Sequence, residues 1–299
     1  MIKYMFIHKK KIILIIILFF TLFFYLFIIR NGQKGKIIHD DDIKRNNYKN
    51  ENPDKTFLQH EEMEHIFIPK SHVASIPIFM YHWVREETGG YEYPDMMVKP
   101  SELKKQFEYV SNNNYESIFI TDMEHIYKYK NPVAFTFDDG WVDVYTDVFP
   151  LAKEYNIKIS MYIIKELVGT NAYCNEEQLK EMKESGLVDI HSHTVTHRML
   201  ATISINDVFN ELIDSKKYLK ETFKIDSTVI CYPVGSTNNN VIKEAKRAGY
   251  KFGLLMDGGV YNSSINKELL AIPRIYAKRS MGINEFISYL KKSYVTVKY

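Results

Sequence analysis

The chain has 299 residues, 45% of them hydrophobic, which is enough to bury at least one sizeable core. Its net charge of +2, with basic and acidic residues interspersed, gives no sign of a nucleic-acid-binding surface. The two cysteines, Cys174 and Cys231, are far apart and lack CxxC spacing, which excludes a disulfide scaffold and a thiolate zinc site but leaves a single bridge open.

An apolar run occupies Ile12–Ile29, follows three lysines and ends before Arg30. A run of this length can just cross a hydrocarbon core of about 30 Å as one helix. A cleaved signal peptide is the alternative, but no small-residue cleavage site follows the run. We therefore expect residues 1–30 to be a cytoplasmic stub and an uncleaved, single-pass membrane anchor. The slight charge bias favours an N-terminus inside and the bulk of the chain outside the cytoplasm.

From residue 31 to residue 70 the composition changes to lysine, asparagine and acidic residues with few apolar ones. Such a segment cannot bury enough surface to fold alone, so we expect a polar, flexible linker. A flexible chain of about 40 residues has a root-mean-square span of roughly 35 Å. The rest of the chain, residues 71–299, is therefore expected to form one domain close to the membrane.

Beyond the linker, apolar runs of strand length alternate with helical patterns. A strand is predicted at Ile76–Tyr81, and a helix capped by Ser101 follows it. The further predicted strands are Val133–Phe137, Ile157–Ile164, Leu187–Ile190, Thr228–Cys231, Phe252–Met256 and Leu269–Ile275. The further predicted helices are Val142–Tyr155, Glu176–Ser185, Ile205–Phe223 and Asn239–Ala248. This alternation predicts an α/β fold with a parallel sheet or barrel.

Two adjacent carboxylates, Asp138 and Asp139, follow the predicted strand Val133–Phe137 and precede Gly140. Asp-Asp-Gly is also common turn chemistry, so this motif alone is ambiguous. In an α/β barrel, however, catalytic groups collect at the carboxyl ends of the strands. Two ionised carboxylates there repel each other unless a cation or a proton intervenes.

Three histidines lie within seven residues just after the strand predicted at Leu187–Ile190. An isolated histidine is more often an ordinary structural residue. His193 and His197, four apart beyond a strand end, instead favour metal ligation. With Asp139 they make a two-histidine, one-carboxylate site that leaves positions open for water, as catalytic zinc sites do.

Together these motifs resemble the polysaccharide deacetylase family, also called the NodB-homology domain or carbohydrate esterase family 4. Thr136–Gly140 matches the first motif of the family, and His193–His197 matches the second, H-[ST]-x-x-H. The resemblance covers roughly residues 74–290. It implies a distorted (β/α) barrel of the NodB-homology type.

The resemblance also implies roles for individual residues. It implies a divalent-metal site with three ligands: Asp139, His193 and His197. Asp138 then acts as the catalytic base. The loop Cys231–Gly235 resembles the third motif, so the backbone N–H of Val234 is expected to help bind the oxyanion. The metal is expected to be zinc, although cobalt, nickel or iron suit the same ligands.

The chain departs from the family pattern in two places. The arginine of the third motif, which pairs with the base, is absent before Pro233, and the late histidine that supplies the acid is also absent. The subgroup resembling poly-N-acetylglucosamine deacetylases takes its acid from an early Met-Tyr-His segment, which corresponds to Met80–His82. His82 is therefore our candidate acid, and Arg274 is a weaker candidate for orienting the base.

We expect a hydrolase that removes N-acetyl groups from an N-acetylglucosamine polymer, either poly-N-acetylglucosamine or peptidoglycan, at the cell surface. Its expected partners are this polymer and, through Ile12–Ile29, the membrane, but no nucleic acid. Because of the two departures, a non-catalytic glycan-binding subunit is an alternative. An O-acetyl esterase acting on a polysaccharide is another.

Overall fold

The computed structural model describes residues 71–90 and 93–298. The expected anchor over residues 1–30, with its span Ile12–Ile29, and the linker over residues 31–70 lie outside the described residues. These assignments, the domain boundaries and the extracytoplasmic location stay predictions. Within the described ranges, no helix is both long and apolar enough to cross a membrane.

Seven parallel strands close into a barrel. In order around it they are β2 (Ile78–Tyr81), β12 (Ile272–Tyr276), β10 (Phe252–Gly258), β9 (Val229–Cys231), β8 (Val188–Ser192), β7 (Ile159–Ile163) and β6 (Pro132–Phe137). The pairing of β2 with β6, which sets Phe79 opposite Phe135, closes the ring. A short strand, β5 (Glu116–Ser117), pairs with the start of β6. The predicted barrel is confirmed.

Helices connect the strands and pack outside them. In the described ranges they are α1 (Pro100–Asn112), α2 (Phe149–Tyr155), α3 (Glu176–Glu184), α4 (Ile205–Phe223), α5 (Asn239–Arg247) and α6 (Ile283–Leu290). The long helix α4 coincides with its predicted range. It buries Val208, Leu212 and Leu219, whose spacing places them on one face. A π-helical turn, Val144–Val148, replaces the first part of the helix predicted at Val142–Tyr155.

The predicted helix start at Ser101 was wrong. Lys99 occupies the cap position of α1, and Pro100 begins the helix. Proline suits this position because the first N–H groups of a helix have no intrahelical acceptor. Ser101 therefore lies inside the first turn.

The strand predicted at Ile76–Tyr81 is confirmed only from Ile78 onward, because the chain changes sheet at Pro77, which lacks a backbone N–H. The segment before it, β1 (Ser71–Ile76), pairs antiparallel with β11 (Tyr261–Asn262) and β13 (Tyr294–Lys298). Along β13 exposed residues alternate with half-buried ones, so the sequence shows no continuous apolar run there, and the strand was missed. Two further short strands, β3 (Trp83–Val84) and β4 (Met97–Val98), pair in parallel.

Alternation along each barrel strand decides which side chains face the interior. Ala134 on β6 belongs to the same buried cluster as Ile78, Cys231 and Ile272, residues from three other barrel strands that face the barrel interior. Phe135 belongs instead to the layer between barrel and helices. Extending the two-residue alternation past the end of β6 therefore directs Asp138 inward. The fold thus explains why the base candidate lies inside the barrel mouth.

Candidate metal centre and active site

The carboxyl end of β6 carries the two aspartates on a tight turn. The backbone N–H of Asp138 donates to the carbonyl of Tyr81 on the adjacent strand β2, at 2.9 Å. Asp139 and Gly140 both have positive φ, 72° and 96°. This left-handed turn is costly for a residue with a side chain, and such conformations persist where surrounding contacts impose them. Here it separates the two adjacent carboxylates.

The structure brings the three predicted metal ligands together. Asp139 Oδ1 lies 3.3 Å from His193 Nε2 and 3.4 Å from His197 Nε2. Donor atoms bound tetrahedrally at the usual zinc distances lie about 3.3–3.4 Å apart. The donor types and their separations fit a divalent cation.

Two ligands are oriented by other groups, as metal sites require. Nδ1 of His193 lies 2.7 Å from the carbonyl oxygen of Cys231, so this nitrogen donates and Nε2 is left as the metal donor. Trp141 Nε1 donates to Oδ2 of Asp139 at 2.9 Å, which leaves Oδ1 to face the histidines. The Trp141 ring packs against Trp83 and Tyr173, at centroid distances of 4.7 and 4.2 Å. Sequence reasoning assigned Trp141 no role at the metal.

The charges within the ligand cluster favour a bound cation or, in its place, a proton. Burial alone raises the pKa of Asp139, but the hydrogen bond and charge of His193 outweigh it and lower this pKa. Burial lowers the pKa of His193, yet neighbouring Cys231 and Asp139 hold it well above its usual value. Burial and the nearby His193 lower the pKa of His197 to about 4. A proton on His193 therefore competes with a cation for the same carboxylate.

The base candidate Asp138 is paired with Arg274, which is 1% exposed. The guanidinium donates through Nη1 to Oδ1 and through Nη2 to Oδ2 of Asp138, both at 2.7 Å. Burial by itself raises the pKa of Asp138, but the charge of Arg274 outweighs it and holds this pKa well below its usual range. Arg274 also donates to Thr136 Oγ1 and to the carbonyl of Leu255. The carboxylate is therefore ionised and held in one orientation.

His82, the candidate acid, lies beside the base. Its Nε2 is 4.0 Å from Asp138 Oδ2, and the residue is 8% exposed. Burial lowers the pKa of His82, against the opposing charges of Asp138 and Asp139. Nδ1 of His82 is buried and has no hydrogen-bond partner among the described residues. The structure thus places the predicted acid beside the base in the wall of the same cavity.

The loop after β9 presents a backbone N–H to the same site. Val234 has φ 55°, an unusual value for a β-branched residue, and is 56% exposed in the cavity wall. No acceptor for its N–H is found among residues 71–90 and 93–298. An unpaired N–H in a strained turn is available to bind a developing oxyanion.

A second group of potential ligands, Asp138, His193 and Cys231, lies behind the first. Arg274 Nη2 is 3.2 Å from the Cys231 sulfur, so a positive charge already occupies this side. Cys174 and Cys231 are both buried free thiols, and the bridge left open by the sequence is not formed. The arrangement supports one cation, at Asp139, His193 and His197.

Comparison with known proteins agrees with the motifs and the geometry. The sequence profile described as "Polysaccharide deacetylase" matches residues 126–253. The chain is 28% identical to the putative polysaccharide deacetylase YxkH of Bacillus subtilis, over 80% of this chain and 85% of that protein. A poly-β-1,6-N-acetyl-D-glucosamine N-deacetylase of Staphylococcus aureus is 27% identical over 66% of this chain and 73% of that protein.

Solved structures show the same fold. A Streptococcus pyogenes deacetylase, PplD, solved in complex with acetate, superposes with a TM-score of 0.67 at 28% identity. The match covers 72% of this chain and 98% of that one. A polysaccharide deacetylase from Bacillus cereus gives a TM-score of 0.68 at 25% identity, over 72% of this chain and 69% of that one. Residues 126–253 thus match a polysaccharide deacetylase domain, and the chain resembles enzymes of that class in sequence and in fold.

The candidate site opens into a cavity of about 620 Å³. The base, the acid candidate and all three ligand residues line it. The rest of its wall is largely aromatic or apolar, with contributions from Trp83, Tyr93, Met96, Tyr232, Met256 and Tyr276. Such a wall suits the apolar faces of sugar rings. The polar side chains that line the cavity include those of the candidate base, acid and metal ligands.

Proposed function

We propose that the chain is a metal-dependent N-deacetylase that acts on an N-acetylglucosamine polymer, either poly-N-acetylglucosamine or peptidoglycan, at the cell surface. One observation carries the proposal. An ionised carboxylate, Asp138, is fixed by Arg274 next to three residues whose spacing suits a divalent metal, and the whole group opens into a cavity. This is the arrangement that metal-assisted hydrolysis requires.

Asp139, His193 and His197 would hold the metal, and the bound cation would supply Lewis acidity for lowering the pKa of water and polarising the acetyl carbonyl. The ligand chemistry suits zinc, with cobalt, nickel or iron able to occupy the same donors. The two histidines and one carboxylate leave coordination positions for water and substrate.

The protein's own groups move the protons. Asp138 takes a proton from the attacking water, and the water oxygen forms a bond to the acetyl carbon. The carbonyl oxygen, now negative, accepts the N–H of Val234. The C–N bond then breaks as His82 delivers a proton to the departing nitrogen. The products are acetate and the free amine of the sugar.

The proposed substrate is supported by the names of relatives and by the wall of the cavity. Several relatives, whose matches cover 66% of this chain, carry the name poly-β-1,6-N-acetyl-D-glucosamine N-deacetylase. The aromatic wall of the cavity suits sugar rings. The surface location rests on the apolar run Ile12–Ile29 of the sequence.

Acetate release from a panel of polymers tests the proposal. The full-length chain, loaded with zinc, is incubated with poly-N-acetylglucosamine, peptidoglycan and an O-acetylated polysaccharide, with chelator-treated protein as control. We expect release from an N-acetylated polymer and none after chelation. Binding of polymer without any acetate release from metal-loaded protein would instead support the glycan-binding alternative. Release from the O-acetylated polymer alone would support the esterase.

A further inference from the structure

The loop from His193 to His197 joins two metal ligands and has an unusual backbone. Thr194 and His197 both adopt positive φ, 70° and 60°. Neither residue is a glycine, so both conformations are unfavourable and need contacts that impose them. What holds this loop also determines where the two imidazole rings point.

Each backbone N–H of the loop has an identifiable acceptor. His193 donates to Ile163 O at 2.9 Å, a contact from β8 to the end of β7. Thr194 donates to Ser192 Oγ, and His197 donates to Thr194 Oγ1, both at 3.1 Å. These three bonds stay within the loop or run to the neighbouring strand. They leave the N–H groups of the two central residues to be satisfied from elsewhere.

A single side chain from another element accepts both. Oε2 of Glu211 accepts from Val195 N at 2.8 Å and from Thr196 N at 2.9 Å. Its other oxygen accepts from the hydroxyl of Thr196. Glu211 is 6% exposed. The carboxyl group is therefore buried, and both of its oxygens accept hydrogen bonds from the loop.

Glu211 lies on a rigid element. Helix α4 begins at a cap in which Ser204 accepts from Asp207 N, and Leu212, the residue after Glu211, is fully buried. The loop carbonyls of Thr194 and Val195 accept from Lys165 N and Glu166 N, after β7. The loop is thus held from both sides, and Glu211 is the one side chain of α4 that makes these bonds in the described residues.

We infer that Glu211 is a positioning residue for the metal site. It does not reach the metal, but it fixes the backbone between His193 and His197 in the conformation that directs both Nε2 atoms at Asp139. The inference rests on the metal site of the proposed function and adds a residue that no motif contains. Groups that orient metal ligands in this way typically change metal affinity by 10- to 100-fold when they are removed.

Replacing Glu211 by methionine tests this. The methionine side chain has about the length of the glutamate side chain but no oxygen, so the acceptor of both backbone N–H groups and of the Thr196 hydroxyl is lost. We expect the affinity of the full-length, metal-stripped protein for Zn²⁺, measured by competition with a chromophoric chelator, to fall by about 10- to 100-fold. The visible spectrum of the Co²⁺-loaded variant is expected to change, because the ligand geometry changes. Neither readout requires a polysaccharide substrate, so failure of the proposed function leaves this test intact.

Two further variants make the result decisive. Asp214→Asn, on the exposed face of α4, also removes one negative charge and is expected to keep the wild-type Zn²⁺ affinity and Co²⁺ spectrum. Thr196→Val removes only the hydroxyl contact and is expected to have an intermediate effect, and it decides the matter if Glu211→Met does not fold. A Glu211→Met protein that unfolds at a lower temperature in the metal-free state, yet keeps the wild-type Zn²⁺ affinity and Co²⁺ spectrum, would overturn the inference.

Discussion

The two halves of the site are built differently. The metal half comes from two short segments: the end of β6, with Asp139, and the loop His193–His197. The proton-transfer half joins His82 and Asp138, which directly follow β2 and β6, to Arg274 within β12, and the last two are 136 positions apart in the chain. β2 pairs with both β6 and β12, so these distant residues are neighbours across the barrel. A metal centre can thus be encoded by local motifs, whereas the proton-transfer half depends on the closed barrel.

The largest effect is expected at the base of the proton-transfer half. Asp138→Asn removes the base but leaves the ligands in place, so turnover is expected to fall by about 10³-fold or more, with Zn²⁺ affinity nearly unchanged. Steady-state acetate release and chelator competition measure the two quantities. Asp214→Asn, an exposed substitution of the same type, is the control and is expected to keep wild-type turnover. Unchanged turnover in Asp138→Asn would remove this residue from the mechanism.

His82→Ala tests whether His82 protonates the leaving group. An amine leaving group needs a proton, whereas a phenolate leaving group does not. We therefore expect a loss of about 10²-fold on N-acetylated polymer and a much smaller loss on 4-nitrophenyl acetate. His125→Ala, at an exposed position, is the control. Equal losses on both substrates would show that His82 does not act as an acid.

Arg274 tests the electrostatic support of the base. Arg274→Lys keeps the charge but loses the two-pronged contact, so about a 10-fold loss of turnover is expected. Arg274→Met leaves a buried carboxylate unpaired, which costs about 3–5 kcal/mol of folding free energy. Denaturant unfolding measures this cost.

Replacing Arg274 is also expected to change how activity depends on pH. The pKa of Asp138 is depressed in the folded protein by Arg274, so its ionised form, and the stability it confers, persists at neutral pH and is lost only in strong acid. Without the guanidinium this pKa rises. The acid limb of the pH–rate profile of Arg274→Met is therefore expected to move to higher pH. An unshifted limb would contradict the assigned role of Arg274.

The smallest effect is expected from an outer contact of the metal half. Trp141→Phe removes the N–H that orients Asp139 but keeps an aromatic ring between Trp83 and Tyr173. We expect Zn²⁺ affinity to fall by about 10-fold. Tyr173→Phe, which keeps the ring that stacks on Trp141, is the matched control, because Tyr173 makes no hydrogen bond to Asp139, His193 or His197 in the described part of the chain. If both variants bind Zn²⁺ as tightly as wild type, Trp141 only packs.

These differences also explain what could be read from the sequence. The barrel and the cluster of Asp139, His193 and His197 followed from strand periodicity and short motifs. The pairing of Arg274 with Asp138 was only a weak expectation, because it depends on which strands become neighbours when the barrel closes. Trp141 and Glu211 were missed because their contacts are set by the rotation of side chains around the site. A polar residue at a buried position of a helix, as Glu211 on α4, was the one signal available.

The most direct test of the account is acetate release as a function of bound metal. Metal-stripped full-length protein is titrated with Zn²⁺ while acetate release from poly-N-acetylglucosamine and from peptidoglycan is measured, beside His193→Ala and Asp138→Asn. The account predicts that release rises to a plateau near one metal ion per chain, that His193→Ala requires far more metal, and that Asp138→Asn binds one ion but stays inactive. Release that is independent of metal, or no release from either polymer at full metal occupancy, would contradict it.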